Sequence, residues 1–466
     1  MNNSDNNIDK QLIKESLENT ENKKLKDYKN ALKLSPNDPS IYNNLGISFI
    51  KLRKFQEALK SFKKAIDLQP NFEIAHNNLG NAFQELNQYQ QAVSCYQKAI
   101  DINPSYAVAH YNLGNVLVEI GKTRDAISSY KNAIKYDSKH SSTRHNLSRA
   151  QLAIDDFKNG WEEYELRDGG TQKFYKNLGI SKEKIWDGNK FDGSLIVCAE
   201  QGVGDEILYS SVFSDLSNYQ KDLIVSADER LISLFERSFP KIKFISRKKI
   251  KFISNIKKIS KTKNSKHILA GSLGKFFRNS LKDFRNNQNP WFVPNMKRVE
   301  ELKKYFYDSK KIKVGLSWKS TAKTYKDKNV SLIDLANIFP DNYFKIINLQ
   351  YGDIKSDKIE FEEKTKRKLI HFDNFDYTND LEGLVALIWN CDLVVSISNA
   401  TVHFAGALGK LTWVLTPTPA QWYWHFDRKK CLWYPNVKLF RQKNKGERDY
   451  VFDQIKAEVS LKYIKK

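Results

Sequence analysis

The chain has 466 residues, 40% of them hydrophobic and 12% aromatic, which at roughly 100 to 200 residues per domain leaves room for two to four domains and excludes a disordered, collagen-like or low-complexity polymer. Lys and Arg outnumber Asp and Glu by 77 to 54, a formal charge of +23 that suits a polyanion partner or, with Lys, Asn and Ile abundant throughout, a diffusely charged surface. No stretch approaches the ~18 uncharged apolar residues of a membrane span, since Asn390, Asp392 and Lys410 interrupt the richest ones.

Met1 to Lys10, MNNSDNNIDK, lacks the apolar core of a signal peptide, so a cytoplasmic location is expected. A period of 34 residues follows. Leu45-Gly46, Leu79-Gly80 and Leu113-Gly114 stand 34 apart with Leu147 on the next step. Behind them run Ala58, Ala92 and Ala126, then Phe62, Tyr96 and Tyr130, then Ala65, Ala99 and Ala133, while Pro36, Pro70 and Pro104 punctuate the units. Tyr42, Leu45 and Phe49 share one face of a first helix, and Ala58, Phe62 and Ala65 one face of a second. Glycine admits a close helix contact, and proline ends each unit by withholding a backbone donor.

This pattern resembles the tetratricopeptide repeat, which implies an α-solenoid with a concave face for peptide or protein. The array spans 1–168, with full units at about 39–72, 73–106 and 107–140. A degenerate leading unit keeps Tyr28 and Ala31, and a trailing one keeps Leu147, Gly160 and Tyr164. Asn44, Asn78, Asn112 and Asn146 recur one residue before each Leu. An amide offers a donor and an acceptor side by side, so this row suits either the backbone of an extended acceptor peptide or a neighbouring helix of the solenoid.

Residues 169–184 read as a linker, after which short apolar strands alternate with helical stretches, the pattern of α/β domains. Leu195 to Ala199 read as a buried strand running into Glu200-Gln201-Gly202-Val203-Gly204-Asp205 and a helix starting near Glu206. A glycine-rich turn there is either a ligand-binding crevice or a tight turn with Asp205 capping the helix. Lys313 to Trp318 form a further strand before a loop holding Lys319, Lys323, Lys326 and Lys328, with Ser331 opening the next helix. Asp392 to Ile397 form another, then Ser398-Asn399 as turn and cap, a helix Ala400 to Leu408 stopped by Gly409, and a strand from Thr412 to Leu415. The start of that helix suits a diphosphate through Asn399, Ala400, Thr401 and His403, or is an ordinary capped end with His403 packed against its neighbours.

Over nearly its whole length the chain resembles bacterial tetratricopeptide-repeat proteins that carry a C-terminal glycosyltransferase of GT-B type, similar to the lipopolysaccharide heptosyltransferases and in layout to the protein O-N-acetylglucosaminyltransferases. The matching segments are Gly160 to Arg167, Trp186-Asp187-Gly188, Glu200 to Asp205, Val314 to Trp318, Asn348 to Gly352, Ser398 to Gly409 and Trp433-Tyr434-Pro435. The resemblance implies two Rossmann-like halves, 185–300 on the acceptor side and 301–466, with a terminal helix, on the nucleotide-sugar side. It implies Asp205 as general base of an inverting transfer, with Gln201, Gly202 and Gly204 forming its turn. Lys326, Lys328, Gln350, Ser398, Asn399, Ala400, Thr401 and His403 would hold the donor, with a nucleotide-sugar as substrate, no metal and no cofactor. Relatives of the heptosyltransferase type have Asp-Thr where Ser398-Asn399 stand, which removes a carboxylate and leaves open an inactive, transferase-like scaffold.

Three further features complete the sequence. Lys241 to His267 carries eleven Lys or Arg and no acid, either a Lys-rich surface insertion or a contact with an acidic acceptor or membrane surface. Gln421-Trp422-Tyr423-Trp424-His425-Phe426 would stack on a sugar or base, or bury at least two of its rings as structure. Cys95, Cys198, Cys391 and Cys431, far apart and without a C-x-x-C pair, fit reduced thiols. Nucleic acid is not expected as a partner, because charge alone comes without a readout motif.

Overall fold

The computed structural model describes residues 5–167, 171–248, 264–285, 289–306, 310–320 and 328–464. The chain divides into two compact units, Met1–Leu147 and Ser148–Lys466.

The first unit is a run of antiparallel helices: α1 (Asp5–Leu34), α2 (Pro39–Lys51), α3 (Phe55–Leu68), α4 (Glu73–Glu85), α5 (Tyr89–Ile102), α6 (Ala107–Glu119) and α7 (Thr123–Tyr136). The boundary to the second unit falls within α8 (Ser141–Ala153), well before the end of the repeat pattern at 168. The recurring glycine has a direct steric cause. A Cβ on Gly46 would lie 2.4 Å from the Phe62 ring, one on Gly80 2.6 Å from Tyr96 and one on Gly114 2.5 Å from Tyr130, so each first helix seats the aromatic of its second helix against bare backbone. Ala58, Phe62, Ala65, Ala92, Tyr96 and Ala99 are wholly buried in this seam. The repeating prolines have a second role: the carbonyl of Pro36 accepts from the Tyr42 hydroxyl at 3.2 Å, and those of Pro70 and Pro104 lie 2.9 and 3.0 Å from Nε2 of His76 and His110.

The second unit opens with the end of α8, α9 (Phe157–Tyr164) and α10 (Thr171–Asn177), followed by two sheets. Residues 169–184, expected as a linker, thus contain a helix. Tyr175 on α10 is buried, and its hydroxyl accepts from the Leu269 amide at 2.9 Å.

One half comprises β1 (Ser194–Cys198), α11 (Val203–Ser210), α12 (Phe213–Tyr219), β2 (Asp222–Ala227), α13 (Ile232–Ser238), β3 (Lys243–Ser246), β4 (Ser265–Leu269), α14 (Gly274–Phe277) and α15 (Leu281–Arg285). Its sheet has the order β3-β2-β1-β4, all pairs parallel. The other half comprises α16 (Met296–Lys303), β5 (Ile312–Ser317), α17 (Leu332–Ala336), β6 (Phe344–Asn348), α18 (Lys355–Thr365), α19 (Leu381–Asn390), β7 (Leu393–Ile397), α20 (Ala400–Ala407), β8 (Thr412–Thr416), β9 (Val437–Arg441) and α21 (Arg448–Val459). Its sheet has the order β6-β5-β7-β8-β9, again parallel throughout. Strands buried on both faces read as continuous apolar runs, as Leu195-Ile196-Val197 and Leu393-Val394-Val395 do. In each sheet one pair of adjacent strands, β1/β4 and β5/β7, is where the strand order reverses, and ligands of open α/β sheets bind outside the carboxyl ends at such points. No described helix is long and apolar enough to cross a membrane.

Candidate functional site

The reversal in the first sheet is occupied by charge. Glu200 leaves β1 with its carboxylate beside β4, where Oε1 accepts from the Gly271 amide at 2.8 Å. Arg167 grips the same carboxylate with two arms, Nε to Oε2 at 2.9 Å and Nη2 to Oε1 at 2.6 Å, and also donates to the Tyr164 carbonyl and the Ser272 hydroxyl. Burial alone would loosen the proton of this guanidinium, but the pairing with Glu200 outweighs it, and Arg167 holds its proton more firmly than usual. The next residue, Gln201, has φ +62, a left-handed conformation uncommon outside glycine. Its side-chain amide donates to the Tyr164 hydroxyl at 3.1 Å, and that hydroxyl lies 2.8 Å from the one on Tyr209.

From this turn α11 begins at Val203, earlier than expected, with Gly202 as its cap residue. Asp205 reaches back from the third helical position and accepts from the Gly202 amide at 3.1 Å, which is the carboxylate half of a capping box. Burial raises its pKa above the usual carboxylate value; the Gly202 bond pulls the other way and the Glu200 charge adds to the rise. The neighbouring Glu206 is almost fully buried, accepts from the Asp228 amide at 2.9 Å and is pushed up to about 7 by burial.

The reversal in the second sheet is neutral. Asn399 caps α20: its Oδ1 accepts from the Thr401 amide at 3.1 Å, and its Nδ2 donates to Ser317 Oγ at 2.8 Å and the Lys319 carbonyl at 3.3 Å. Gln350 is buried, and its Oε1 accepts from Ser317 Oγ and from the Trp318 and Lys319 amides at 3.1, 2.9 and 2.7 Å. Asn399 thus ties the exit of β7 to that of β5, and Gln350 ties the exit of β6 to that of β5. Ser398 accepts the Trp424 indole N–H on its hydroxyl at 2.8 Å and the Lys328 ammonium on its carbonyl at 2.7 Å, and burial pushes Lys328 down to about 8. His403 is 3% exposed, lies 2.8 Å through Nδ1 from the Tyr434 hydroxyl and stacks on Trp424 at 5.6 Å. Burial, then the Lys328 charge, depresses it to about 3, so the ring is neutral.

The starts of α11 and α20 meet. A Cβ on Gly204 would lie 3.1 Å from His403 Cδ2 and 3.8 Å from the Ala400 Cα, so a side chain at 204 would press the two helix ends apart. The structure therefore brings the turn of Gln201, Gly202, Gly204 and Asp205 to the segment of Ala400 and His403. It gives Ser398, Asn399, Thr401 and Gln350 hydrogen bonds that organise that segment from within. Lys326 lies outside the described residues, as do 249–263 of the basic stretch, while Lys319 pairs with Asp357 at 2.6 Å. Trp422 and Trp424 are buried, as structural rings would be. Arg167, Tyr164, Ser317 and Tyr434 were not singled out by sequence reasoning as site residues. All four stand in the matching segments, but nothing in the linear pattern shows what they touch. All four cysteines are free thiols.

In the repeat array the four asparagines are half-buried, and three of them bond from one first helix to the next. Asn78 donates to Asn43 at 2.9 Å, Asn112 to Asn77 at 2.9 Å and Asn81 at 3.2 Å, and Asn146 to Asn115 at 2.9 Å. Asn44 is likewise half-buried at the head of the row.

Residues 39–72, 61–94 and 107–140 match the family described as tetratricopeptide repeat, and 25–52 and 81–121 the one described as TPR repeat. The first unit is a tetratricopeptide-repeat solenoid. Among solved structures, MamA is 25% identical over 33% of this chain and 89% of its own, with a TM-score of 0.30. MamA 41-end from Desulfovibrio magneticus RS-1 is 22% identical over 35% and 92%, with a TM-score of 0.30. The thermophilic TPR protein TTC0263 of Thermus thermophilus is 22% identical over 33% and 86%, with a TM-score of 0.29. Protein FlbA of Caulobacter vibrioides is 26% identical over 304 residues, 62% of this chain and 50% of FlbA, so the chain spans about half the length of the curated relative it matches. A match over 62% of the chain is longer than the solenoid unit and so extends into the α/β unit.

Proposed function

We propose that the α/β unit is an inverting glycosyltransferase of GT-B type, taking a sugar from a nucleotide-sugar and passing it to a protein or peptide captured by the repeat array. The observation that carries the proposal is the meeting of α11 and α20 at Gly204, His403 and Ala400, beside a carboxylate, Asp205, whose proton affinity is raised. Asp205 takes the proton of an acceptor hydroxyl as its oxygen bonds to the anomeric carbon, and the bond from that carbon to the diphosphate breaks on the opposite face. The departing charge meets the start of α20 at Asn399, Ala400 and Thr401, with Lys328 nearby, so the scheme assigns its stabilisation to protein groups and requires no metal ion.

A second reading draws on the same network. Asn399, Gln350 and Ser398 are engaged in holding β5, β7 and the Trp424 loop, which is also what a binding scaffold with an inactive transferase fold would keep. Release of nucleoside diphosphate from a panel of nucleotide-sugars separates the two. Turnover by the wild type that disappears in Asp205→Asn supports the transferase. Absence of turnover with every donor, with and without a peptide pool, leaves the scaffold.

A further inference from the structure

We infer that Arg167, the last described residue of the trailing repeat, is a positioning residue for the turn that carries Asp205, acting through Glu200; its catalytic meaning rests on the transferase proposal, while the positioning itself does not. Arg167 and Glu200 are both withdrawn from water, with side-chain exposures of 1% and 11%. Their pairing is bidentate, and the remaining capacity of each is used locally: Arg167 on the Tyr164 carbonyl and the Ser272 hydroxyl, Glu200 on the Gly271 amide. One guanidinium thus fixes the exits of β1 and β4 to each other and to α9. Gln201 follows immediately in its left-handed conformation, and such a conformation persists only where its surroundings over-determine it. Gly202, the cap of α11, comes next, and the Asp205 carboxylate is tied to its amide.

The pair also sets the charge that Asp205 experiences. The groups acting on Asp205 are Glu200 from the β1 exit and Arg149 from α8; Tyr209 on α11 and Tyr434 also interact with it electrostatically, and the neutral His403 lies against the preceding residue, Gly204. The charge of Glu200, held in place by the Arg167 fork, is one of the causes that raise the proton affinity of Asp205.

The test is made on the full chain by amide hydrogen exchange and by NMR titration of the Asp205 carboxyl, assigned with Asp205→Asn. In Arg167→Met the Gly202 and Gly271 amides should exchange roughly tenfold faster or more, while the β2 amides of Ile224 and Val225 keep their protection. Arg167→Lys should give an intermediate loss, because an ammonium cannot form the fork. In Glu200→Gln, which keeps the side-chain volume, the Asp205 titration should move to lower pH. Protection lost evenly across the first half, or unchanged at Gly202 and Gly271, overturns the positioning role. If Arg167→Met does not fold, an Asp205 titration that stays put in Glu200→Gln does the same. These readouts need no turnover, so an inactive wild type would count against the transferase and leave this result to stand or fall separately.

Discussion

The two strand-order reversals differ in their chemistry. At β1/β4 the exits are held by an ion pair, Arg167 with Glu200, and a carboxylate of raised proton affinity stands on the following helix. At β5/β7 they are held by a neutral amide and a hydroxyl, Asn399 and Ser317, with Gln350 bracing the β5 exit from β6, next to a helix start with no acid in its first turn. Ligands of open parallel sheets bind at such reversals, and under the proposed transfer the difference in charge would give the two places different work. The acidic side suits a hydroxyl that must lose a proton. The other side, with the start of α20 and Lys328 on the Ser398 carbonyl, is where the proposed transfer puts the departing negative charge.

The largest effect that would sharpen this contrast is on rate. Asp205→Asn keeps an oxygen for the Gly202 amide, so the fold and nucleotide affinity should hold while transfer falls by roughly 10²- to 10⁴-fold. Nucleoside diphosphate release measured alongside a thermal-shift titration checks both. Residual turnover with weakened nucleotide binding would place Asp205 among the structural capping residues instead.

On the neutral side the structure revises an expectation. His403 as a diphosphate ligand would tolerate removal with little effect on folding, yet it is buried between Trp424 and Tyr434 and bonded to the latter. His403→Ala should therefore lower stability by about 2–4 kcal/mol, the range of large-to-small changes in packed cores, read as a denaturant midpoint without ligand. Thr401 is wholly buried with its hydroxyl 3.4 Å from Ser317 Oγ, so Thr401→Val needs the same midpoint measured beside nucleotide affinity.

The repeat was legible because each solenoid contact recurs: the spacing of Gly46, Gly80 and Gly114 from Phe62, Tyr96 and Tyr130 appears three times in one sequence. The strands and the caps at Asn399 and Ser331 were legible from local chemistry, apolar runs ended by turn residues. The site was legible only in part. Arg167 and Glu200 are 33 positions apart, and Asn399 and Ser317 are 82 apart; such pairs occur once, and no local pattern encodes them. Gln350 and Asn399 carried the right residue types for a ligand, but the structure turns them inward, a choice made by strand packing.

Acid sensitivity separates the two sides in a different way. His403 has a folded pKa of about 3 against an ordinary 6.5, so the unfolded chain takes up its proton first. The contribution is fully present above pH 6.5 and declines as pH falls toward 3, at about 1.4 kcal/mol per unit, or roughly 2 kcal/mol by pH 5. Glu206 has the opposite sign: its folded pKa of about 7 lies above the ordinary 4.5, so acidification from pH 7 to 4.5 favours the folded state. Between pH 6.5 and 4.5 the two should largely offset. Glu206→Gln should therefore show a steeper loss of stability on acidification, and His403→Gln a shallower loss or a gain, in denaturant midpoints taken at each pH. Parallel profiles for the two variants would mean that neither burial controls its proton.

The smallest expected effect lies in the array and concerns whether its asparagines face inward or outward. Asn78 and Asn112 donate to Asn43, Asn77 and Asn81 on neighbouring first helices, so part of each amide already serves the solenoid. Both residues remain half-buried; beyond these bonds Asn78, whose oxygen also accepts from Asn77 and Asn81, keeps one N–H, and Asn112, which donates twice, keeps its oxygen. Replacing both by Ala removes the interhelical bonds, at about 1 kcal/mol each if nothing substitutes for them, and removes the peptide-facing capacity with them. If the row holds an acceptor backbone, transfer to protein should fall several-fold more than the small loss of stability explains, while donor hydrolysis without acceptor stays at its wild-type rate. If its work is internal, the melting temperature drops and transfer per folded molecule is unchanged. Because donor hydrolysis does not need the array, the ratio of the two rates isolates the ladder from any damage to the α/β unit.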